Sequence, residues 1–131
     1  SLKYGQAQLD ISDEMDVEKD RARYEADRAR DVRLSRREGI DAALQAGHLD
    51  ALIFPGATGV QVPAKAGYPS VTVPFARLPQ TAALPSCFNP RAAPFGVTFT
   101  GTACSEGRLI ELAFAFEQAT RRRVPPQLDT P

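Results

Sequence analysis

Residues that bind metals are scarce in this sequence. Its 131 residues include a single histidine, His48, and two cysteines, Cys87 and Cys104. The cysteines do not form a Cys-x-x-Cys pair, so the sequence predicts no zinc site within this chain, and we expect no metal and no other cofactor. Two thiols leave two alternatives, one disulfide or two free thiols, and free thiols are favoured in a chain without secretory features.

The sequence also lacks an excess of charge and a long apolar run. Sixteen basic and sixteen acidic residues cancel, which gives no reason to expect a nucleic acid or an anionic membrane as partner. No stretch approaches the roughly 18 apolar residues of a membrane-spanning helix, and the first residues form no signal-peptide pattern. We therefore expect a cytoplasmic protein in which residues 1–131 are a single segment with a modest core.

Motifs that carry chemistry are missing as well. The chain contains no Gly-x-Gly-x-x-Gly, Walker loop, His-Glu-x-x-His or Gly-x-Ser-x-Gly pattern. His48 follows Gly47 in a predicted turn and has no visible nucleophile, which favours a turn residue over a catalytic base. The triplet 121–123 is all arginine and could contact a phosphate, but compensation of a helix dipole is the commoner reason for such a triplet.

Three short runs of β-forming residues are predicted to form the core. Residues 50–56 and 67–74 are each bounded by proline and glycine, which stop strands. Consecutive apolar residues at 52–54 favour a strand covered on both faces. A third run, 95–101, alternates apolar residues with others and could pair antiparallel with residues 71–73.

The connections between these strands differ in length. Residues 57–66 are too few for a full crossover helix, so the first two strands are predicted to be non-adjacent or joined through a short helical turn. Residues 77–94 include four prolines and many small or polar residues. That composition predicts a proline-rich surface excursion.

A long charged helix is predicted before the first strand. Residues 16–46 hold no helix breaker except Gly39, and side chains of opposite charge recur three and four residues apart. Apolar residues are sparse in the first half, so we expect that half to be mostly solvated. Ser12 or Asp13 is the candidate N-cap, and Gly47 is the candidate C′ residue.

An amphipathic helix is predicted after the third strand. Ser105 is its candidate N-cap, and Pro125 prevents its continuation. Its apolar residues recur at helical spacing and include Leu109, Ala113 and Phe116. This spacing predicts one face packed on the core.

The order of these segments resembles the C-terminal portion of amidase signature family enzymes. Nearly the whole chain is covered, and GYPSVTVP and LAFAFEQAT are the most specific segments. The segments that carry the resemblance are KYGQ at 3–6, EGIDAAL at 38–44, LDALIFP at 49–55, AGYPSVTVP at 66–74, PFGVTFTG at 94–101 and SEGRLIELAFAFEQAT at 105–120.

This resemblance implies an α/β fold and a hydrolytic activity. Here it implies part of a mixed β-sheet with about three core strands, covered by the long charged helix and the C-terminal amphipathic helix. The family hydrolyses carboxamide C–N bonds, or transfers their ammonia, through a Ser–cis-Ser–Lys triad and an acyl-enzyme intermediate. Its Gly/Ser-rich signature and upstream lysine do not occur in this sequence. No catalytic residue is therefore carried over; the serines and lysines considered and set aside are Lys3, Lys65, Ser70, Ser86 and Ser105.

The resemblance implies one part of a binding site. The loop formed by Gly56, Ala57, Thr58, Gly59 and Val60 matches a wall near the substrate channel of such enzymes. From the residues alone, this loop follows the end of a strand, where α/β folds bind ligands, although a simple turn is the favoured interpretation.

Two functions stay open at this point. In the first, the chain is a segment of an amidase acting on small-molecule amides, inactive alone, which self-associates or pairs with a missing N-terminal part because apolar surface stays exposed. In the second, it is a non-catalytic binding or interaction module derived from the amidase fold.

Overall fold

The computed structural model describes residues 7–78 and 92–125, and it has the α/β architecture that the sequence predicts. Among the described residues, none of the helices is both long enough and apolar enough to cross a membrane. The elements in chain order are helix α1 (Ala7–Asp13), helix α2 (Val17–Ser35), a π-helical turn (Arg36–Ile40), helix α3 (Asp41–Gly47), strand β1 (Leu52–Pro55), helix α4 (Gln61–Ala66), strand β2 (Ser70–Leu78), strand β3 (Ala93–Thr100) and helix α5 (Glu106–Thr120).

The charged stretch before β1 is helical from Val17 to Gly47, as predicted, and residues 21–30 of α2 are all exposed. Its N-cap is Asp16, whose Oδ1 accepts backbone N–H bonds from Glu18 and Lys19, each at 3.1 Å. The prediction of Ser12 or Asp13 as cap was wrong. Both residues belong to α1, a short helix that the sequence analysis did not predict.

The helix widens into the π turn around Gly39, the one breaker in the predicted stretch. A Cβ atom at Gly39 would lie 2.5 Å from the carbonyl oxygen of Leu34, so only glycine leaves room for the widened turn. Such π turns occur mostly as local bulges and frequently at functional positions. Here the turn packs against α4.

Arg36, at the start of the π turn, attaches the long helix to the end of α4. Its Nε donates to the carbonyl of Ala66 at 2.5 Å, and its guanidinium lies 5.5 Å from the centre of the Tyr68 ring. The Tyr68 hydroxyl donates to Asp41 Oδ2 at 2.9 Å. Burial, and then this bond to Asp41, raise the pKa of Tyr68 above its ordinary value.

The sheet has the order β1–β3–β2, with both outer strands antiparallel to β3. The predicted pairing of residues 71–73 with 97–99 is confirmed, for example by Thr72 opposite Thr98. β1 and β2 are non-adjacent and α4 lies between them in the chain, as expected. The pairings among the described strands are antiparallel, and the mixed sheet stays an expectation about the larger family fold.

The β2–β3 ladder continues into the stretch predicted as a surface excursion, residues 77–94. Arg77 pairs with Pro94 and Leu78 with Ala93, after a register shift between Pro74 and Ala76. Proline cannot donate to a ladder, which explains an irregularity at this point. Residues 79–91, and with them Ser86 and Cys87, lie outside the described residues, so the rest of the excursion stays a prediction.

The main core lies between the sheet and α5. Val73 and Phe99 pack against Leu109 and Ala113, all of them buried. The Phe116 ring meets Phe99 edge-on, with 5.5 Å between ring centroids. The predicted inner face of α5 is therefore confirmed. A second, smaller cluster joins α3 and α4 through Ile40, Leu44 and Ala66, with Leu52 and Tyr68 at its margin.

Apolar surface remains exposed, as expected. Ile53 of β1 is 63% exposed, so the expectation that both faces of this strand are covered was wrong within this chain. α5 packs on β2 and β3, and this leaves Ile53 uncovered. Ile110 and Phe114 on α5 are 61% and 62% exposed.

Helices α3 and α4 end in the same motif, in which two backbone N–H groups after the helix bond back to carbonyls of its last turn. The first residue after each helix has a left-handed backbone conformation, and this residue differs between the two helices. α4 ends at Gly67, with φ of 67°, and α3 ends at His48, with φ of 49°. The motif at α3 joins Leu49 N to the Leu44 carbonyl at 2.9 Å. Gly47, predicted as the C′ residue, is instead helical, because the left-handed residue lies one position later.

Replacing His48 by glycine should stabilise the chain. A side chain in the left-handed region costs about 1 kcal/mol, and glycine avoids this cost. The matched control is Gly67→Ala, which should lower the free energy of unfolding by about the same amount. Urea unfolding of both variants measures the effect, and a destabilised His48→Gly variant would show that His48 makes a compensating contact.

Candidate functional site

The ends of β1 and β2 and the segment that follows α5 lie at one edge of the sheet. β1 and β2 run in the same direction because each is antiparallel to β3. The carboxyl ends of β1 and β2, at Pro55 and Leu78, therefore lie at the same edge as the amino end of β3, at Ala93. Arg121, just after α5, lies beside this edge, since it lines the same groove as Arg77. In open α/β sheets built mostly of parallel strands, ligands bind beyond the carboxyl ends of the strands.

The predicted pocket wall, residues 56–60, begins with a glycine whose backbone is hydrogen-bonded to β3. Gly56 has φ of 57° and donates its backbone N–H to the carbonyl of Gly96 at 2.7 Å. Its own carbonyl accepts a bond of 2.6 Å from Thr98 Oγ1. A Cβ atom at Gly56 would lie 3.3 Å from the Phe95 ring. The loop is thus attached to β3 by both hydrogen-bonding groups of one residue.

The remainder of the loop is a compact turn leading into α4. Thr58 Oγ1 donates to the Pro55 carbonyl at 2.9 Å, and Val60 N donates to the Ala57 carbonyl at 3.3 Å. Gly59 is buried against the Phe54 ring, which leaves no space for a Cβ atom. Of the five predicted wall residues, Ala57, Thr58 and Val60 are exposed, Gly56 is half-buried and Gly59 is buried.

A ladder of hydroxyl groups, which the sequence analysis did not single out, lies next to this loop. It consists of Ser70, Thr72, Thr98 and Thr100, and we call it the hydroxyl ladder. Ser70 and Thr100 are bonded at 2.8 Å, as are Thr72 and Thr98. Thr98 and Thr100 are fully buried. The signal was present, because Ser-Val-Thr and Thr-Phe-Thr place hydroxyls at every second strand position, hence on one face.

The direction of the hydrogen bonds in the ladder follows from counting protons. Thr98 has one hydroxyl proton, and the Gly56 carbonyl, which has none to offer, must receive it. Thr98 therefore accepts in its bond with Thr72, and Thr72 is the donor. Thr72 Oγ1 keeps the capacity to accept a hydrogen bond from a ligand.

Thr72 lies on the wall of a groove of about 740 Å³ at this edge. This volume is within the usual range for small-molecule sites. Three arginines, Arg77, Arg121 and Arg122, lie in the groove, and within the described part of the chain none of them forms an ion pair. The described lining residues are Thr72, Pro74, Phe75, Ala76, Arg77, Pro94, Phe95, Gly96, Arg121, Arg122 and Val124.

The groove and the predicted wall are neighbours without sharing a residue. None of the five wall residues lines the groove. Two neighbours of Gly56 do line it: Gly96, whose carbonyl accepts the Gly56 N–H, and Phe95, whose ring lies beside Gly56. The arginine triplet was interpreted from sequence as dipole compensation. Two of its members, Arg121 and Arg122, also line the groove, and the dipole interpretation stays a prediction.

Of the side chains set aside as catalytic candidates, Lys3 and Ser86 lie outside the described residues, and the others are engaged in hydrogen bonds or ion pairs. Ser105 precedes α5, as predicted, but its Oγ donates to the Thr102 carbonyl at 2.8 Å and makes no cap bond. Lys65 Nζ is paired with Asp31 at 2.7 Å. Cys104 is an exposed free thiol. Within residues 7–78 and 92–125, no three His, Cys, Asp or Glu side chains are grouped to hold a metal.

Substituting Thr98 by valine should loosen the loop and destabilise the chain. It removes the donor to the Gly56 carbonyl and leaves a polar group unpaired, which costs about 1–3 kcal/mol. Thr72→Val is the matched control and should cost less, about 0.5–1 kcal/mol, because the bond from Thr98 to Gly56 survives. Denaturant unfolding and amide exchange at residues 57–60 report both effects, and equal losses would contradict the inferred bond direction.

Comparison with known proteins extends these observations. No family model matches the chain. It is 37% identical over 91 residues to a protein of Arabidopsis thaliana named as an amidase, covering 70% of this chain and 16% of that protein. A protein of Arthroderma benhamiae, also named as an amidase, is 34% identical over 98 residues, covering 72% of this chain and 17% of that one.

A solved structure agrees over almost the full length. The native peptide amidase from Stenotrophomonas maltophilia superposes with a TM-score of 0.74 and 41% identity, covering 98% of this chain and 26% of that chain. The chain thus spans about a quarter or less of these similar proteins. By sequence and by fold, this chain belongs to the amidase signature family.

Proposed function

We propose that this chain is the C-terminal segment of an amidase-type hydrolase that cleaves carboxamide C–N bonds, with peptide amides as the substrate class. The observation that carries the proposal is the 41% identity to a peptide amidase over 98% of the chain, with the same fold. The position of the predicted wall at the carboxyl end of β1 also supports it, since ligands bind there in α/β sheets.

In this proposal the reaction follows the family's Ser–cis-Ser–Lys route through an acyl-enzyme intermediate, with all three residues outside this chain. The nucleophilic serine is activated by the lysine-assisted second serine, and backbone amides stabilise the oxyanion. The engagement of Ser105 with Thr102 and of Lys65 with Asp31 supports a chain without catalytic residues.

The chain itself supplies part of the binding wall in this proposal. Residues 56–60 form a side of the substrate channel, and their bonds to Gly96 and Thr98 hold that side in place. Because its backbone bonds already order this wall, the wall loses little conformational entropy of its own when it positions a substrate. The chain therefore acts by positioning the amide for residues that another part of the enzyme provides.

The missing part pairs with this chain through its exposed apolar side chains. Ile53, Ile110 and Phe114 are each more than 60% exposed, and large exposed apolar residues of this kind mark interaction surfaces. Among the described strands, β1 and β2 are the outer ones of the sheet, and outer strands present backbone groups to which another strand can pair. The complementing part is thus expected to extend the sheet and to cover α5.

A chimera tests the function. The region of the Stenotrophomonas maltophilia peptide amidase that matches this chain is replaced by residues 1–131, and ammonia release from a peptide amide is measured. We expect the chimera to release ammonia and the isolated chain to show no turnover above buffer. A chimera in which Gly59 is replaced by leucine should be folded but impaired, because the new side chain displaces the Phe54 ring and the wall.

Two results would contradict the proposal. Amide hydrolysis by the isolated chain would place the chemistry within it. A folded but inactive chimera would favour the alternative, a non-catalytic module derived from the amidase fold.

The pairing surface has its own test in the double substitution Ile110→Glu and Phe114→Glu. The melting temperature of the isolated chain should hardly change, since changes at exposed positions usually stay within about 0.5 kcal/mol. The chimera should lose several kcal/mol, because unpaired carboxylates would be buried. Thermal unfolding of both proteins measures the difference, and equal shifts in the two would exclude α5 from the pairing surface.

A further inference from the structure

We propose that the groove at the sheet edge binds a carboxylate on the acyl side of the substrate, so that the enzyme prefers amides whose acyl part is anionic. The assignment of the ligand as an amide rests on the proposed function, whereas the anion preference of the groove is a property of this chain alone. The argument uses three observations: unpaired arginines, a strained arginine and an apolar floor.

The charge on the described lining of the groove is positive and uncompensated. Arg77 reaches it from β2, and Arg121 and Arg122 reach it from the segment after α5. Within the described residues no acidic side chain lines the groove, and none of the three arginines is in an ion pair. Arginine binds carboxylates with a fork of N–H donors, so clustered and unpaired arginines favour an anionic occupant.

Arg121 occupies a backbone position that favours glycine. It follows α5 with φ of 47°, and its N–H donates to the Glu117 carbonyl at 2.8 Å. Most helices that end this way have glycine at that position. A strained residue at the rim of a groove is an observation from which a functional role can be inferred. Here the strain places a guanidinium beside the groove.

The rest of the groove fits the body of an acyl compound. Its apolar lining includes Phe75, Phe95 and Val124. A volume of about 740 Å³ admits a ligand the size of an acylated amino acid. Thr72 Oγ1 is free to accept a hydrogen bond, which suits a peptide N–H. Inorganic anions would use the arginines and leave this lining uncovered.

Binding to the 131-residue chain is the direct test, because it needs no catalysis. The two probes are N-succinyl-phenylalaninamide and N-succinamoyl-phenylalaninamide, which differ only in carboxylate against carboxamide. Titration calorimetry at low salt should show the carboxylate binding roughly tenfold more tightly, as expected for two or three exposed charge pairs. The preference should shrink as salt is raised.

Substitutions of the arginines identify which of them produce the preference for the carboxylate probe. Arg121→Gln with Arg122→Gln should abolish the preference, and Arg77→Gln should reduce it. The matched control, Arg30→Gln with Arg37→Gln, removes two exposed arginines outside the groove lining and should leave the preference unchanged. Arg121→Gly should weaken carboxylate binding while the melting temperature stays the same or rises, a combination that a purely structural arginine would not show.

The outcomes separate this inference from the proposed function. Equal binding of the two probes, or a preference that survives the Arg121/Arg122 double substitution, overturns the anion site. Binding of inorganic phosphate as tight as that of the succinyl probe overturns the role of the apolar floor. An inactive chimera with arginine-dependent binding intact would overturn the amidase proposal and leave the anion site standing.

Discussion

The fold depends on the burial of β3 on both of its faces. Val97 and Phe99 pack in the core with α5, and the hydroxyls of Thr98 and Thr100 bond to β2 and, from Thr98, to the loop after β1. Burial of even one face fixes the register of a strand, because a slip by one residue turns every side chain to the other face. Here a shift by one residue would place Phe99 among hydroxyls and Thr98 against α5, so both faces oppose it. This register therefore sets the position of the sheet edge, and with it the positions of the loop 56–60 and of the groove.

Much of this arrangement could be read from the sequence, because the relevant signals are local and periodic. The three strands and the inner face of α5 follow from apolar spacing that side-chain burial enforces, and the charged helix follows from opposite charges three and four residues apart. The antiparallel pairing of residues 71–73 with 97–99 was also predictable from their apolar patterns. Patterns within each segment were therefore sufficient to predict these elements.

Two kinds of feature were missed, a short helix with a weak sequence pattern and contacts between residues distant in the chain. The N-cap was assigned to Ser12 or Asp13, since α1 has too little apolar periodicity to be recognised and Asp16 becomes the cap only after α1 ends. The proximity of Arg121 and Arg122 to Arg77 was not predicted, because it exists only once β2 and α5 lie side by side. The pocket-wall loop was predicted from the family resemblance and from its position after a strand, but no pattern within residues 56–60 predicts the bonds of Gly56 to Gly96 and Thr98.

The bond from Thr98 to Gly56 links the chemistry of the groove to the position of the loop. While the loop stays closed on β3, the Gly56 carbonyl takes the only proton of Thr98, and Thr72 must point its own proton inward. If the loop moved away, Thr98 could donate to Thr72, and Thr72 could turn its proton toward the groove. One backbone carbonyl thus decides whether the groove recognises a donor or an acceptor, so a displacement of the wall would change which ligand fits without changing a single groove residue.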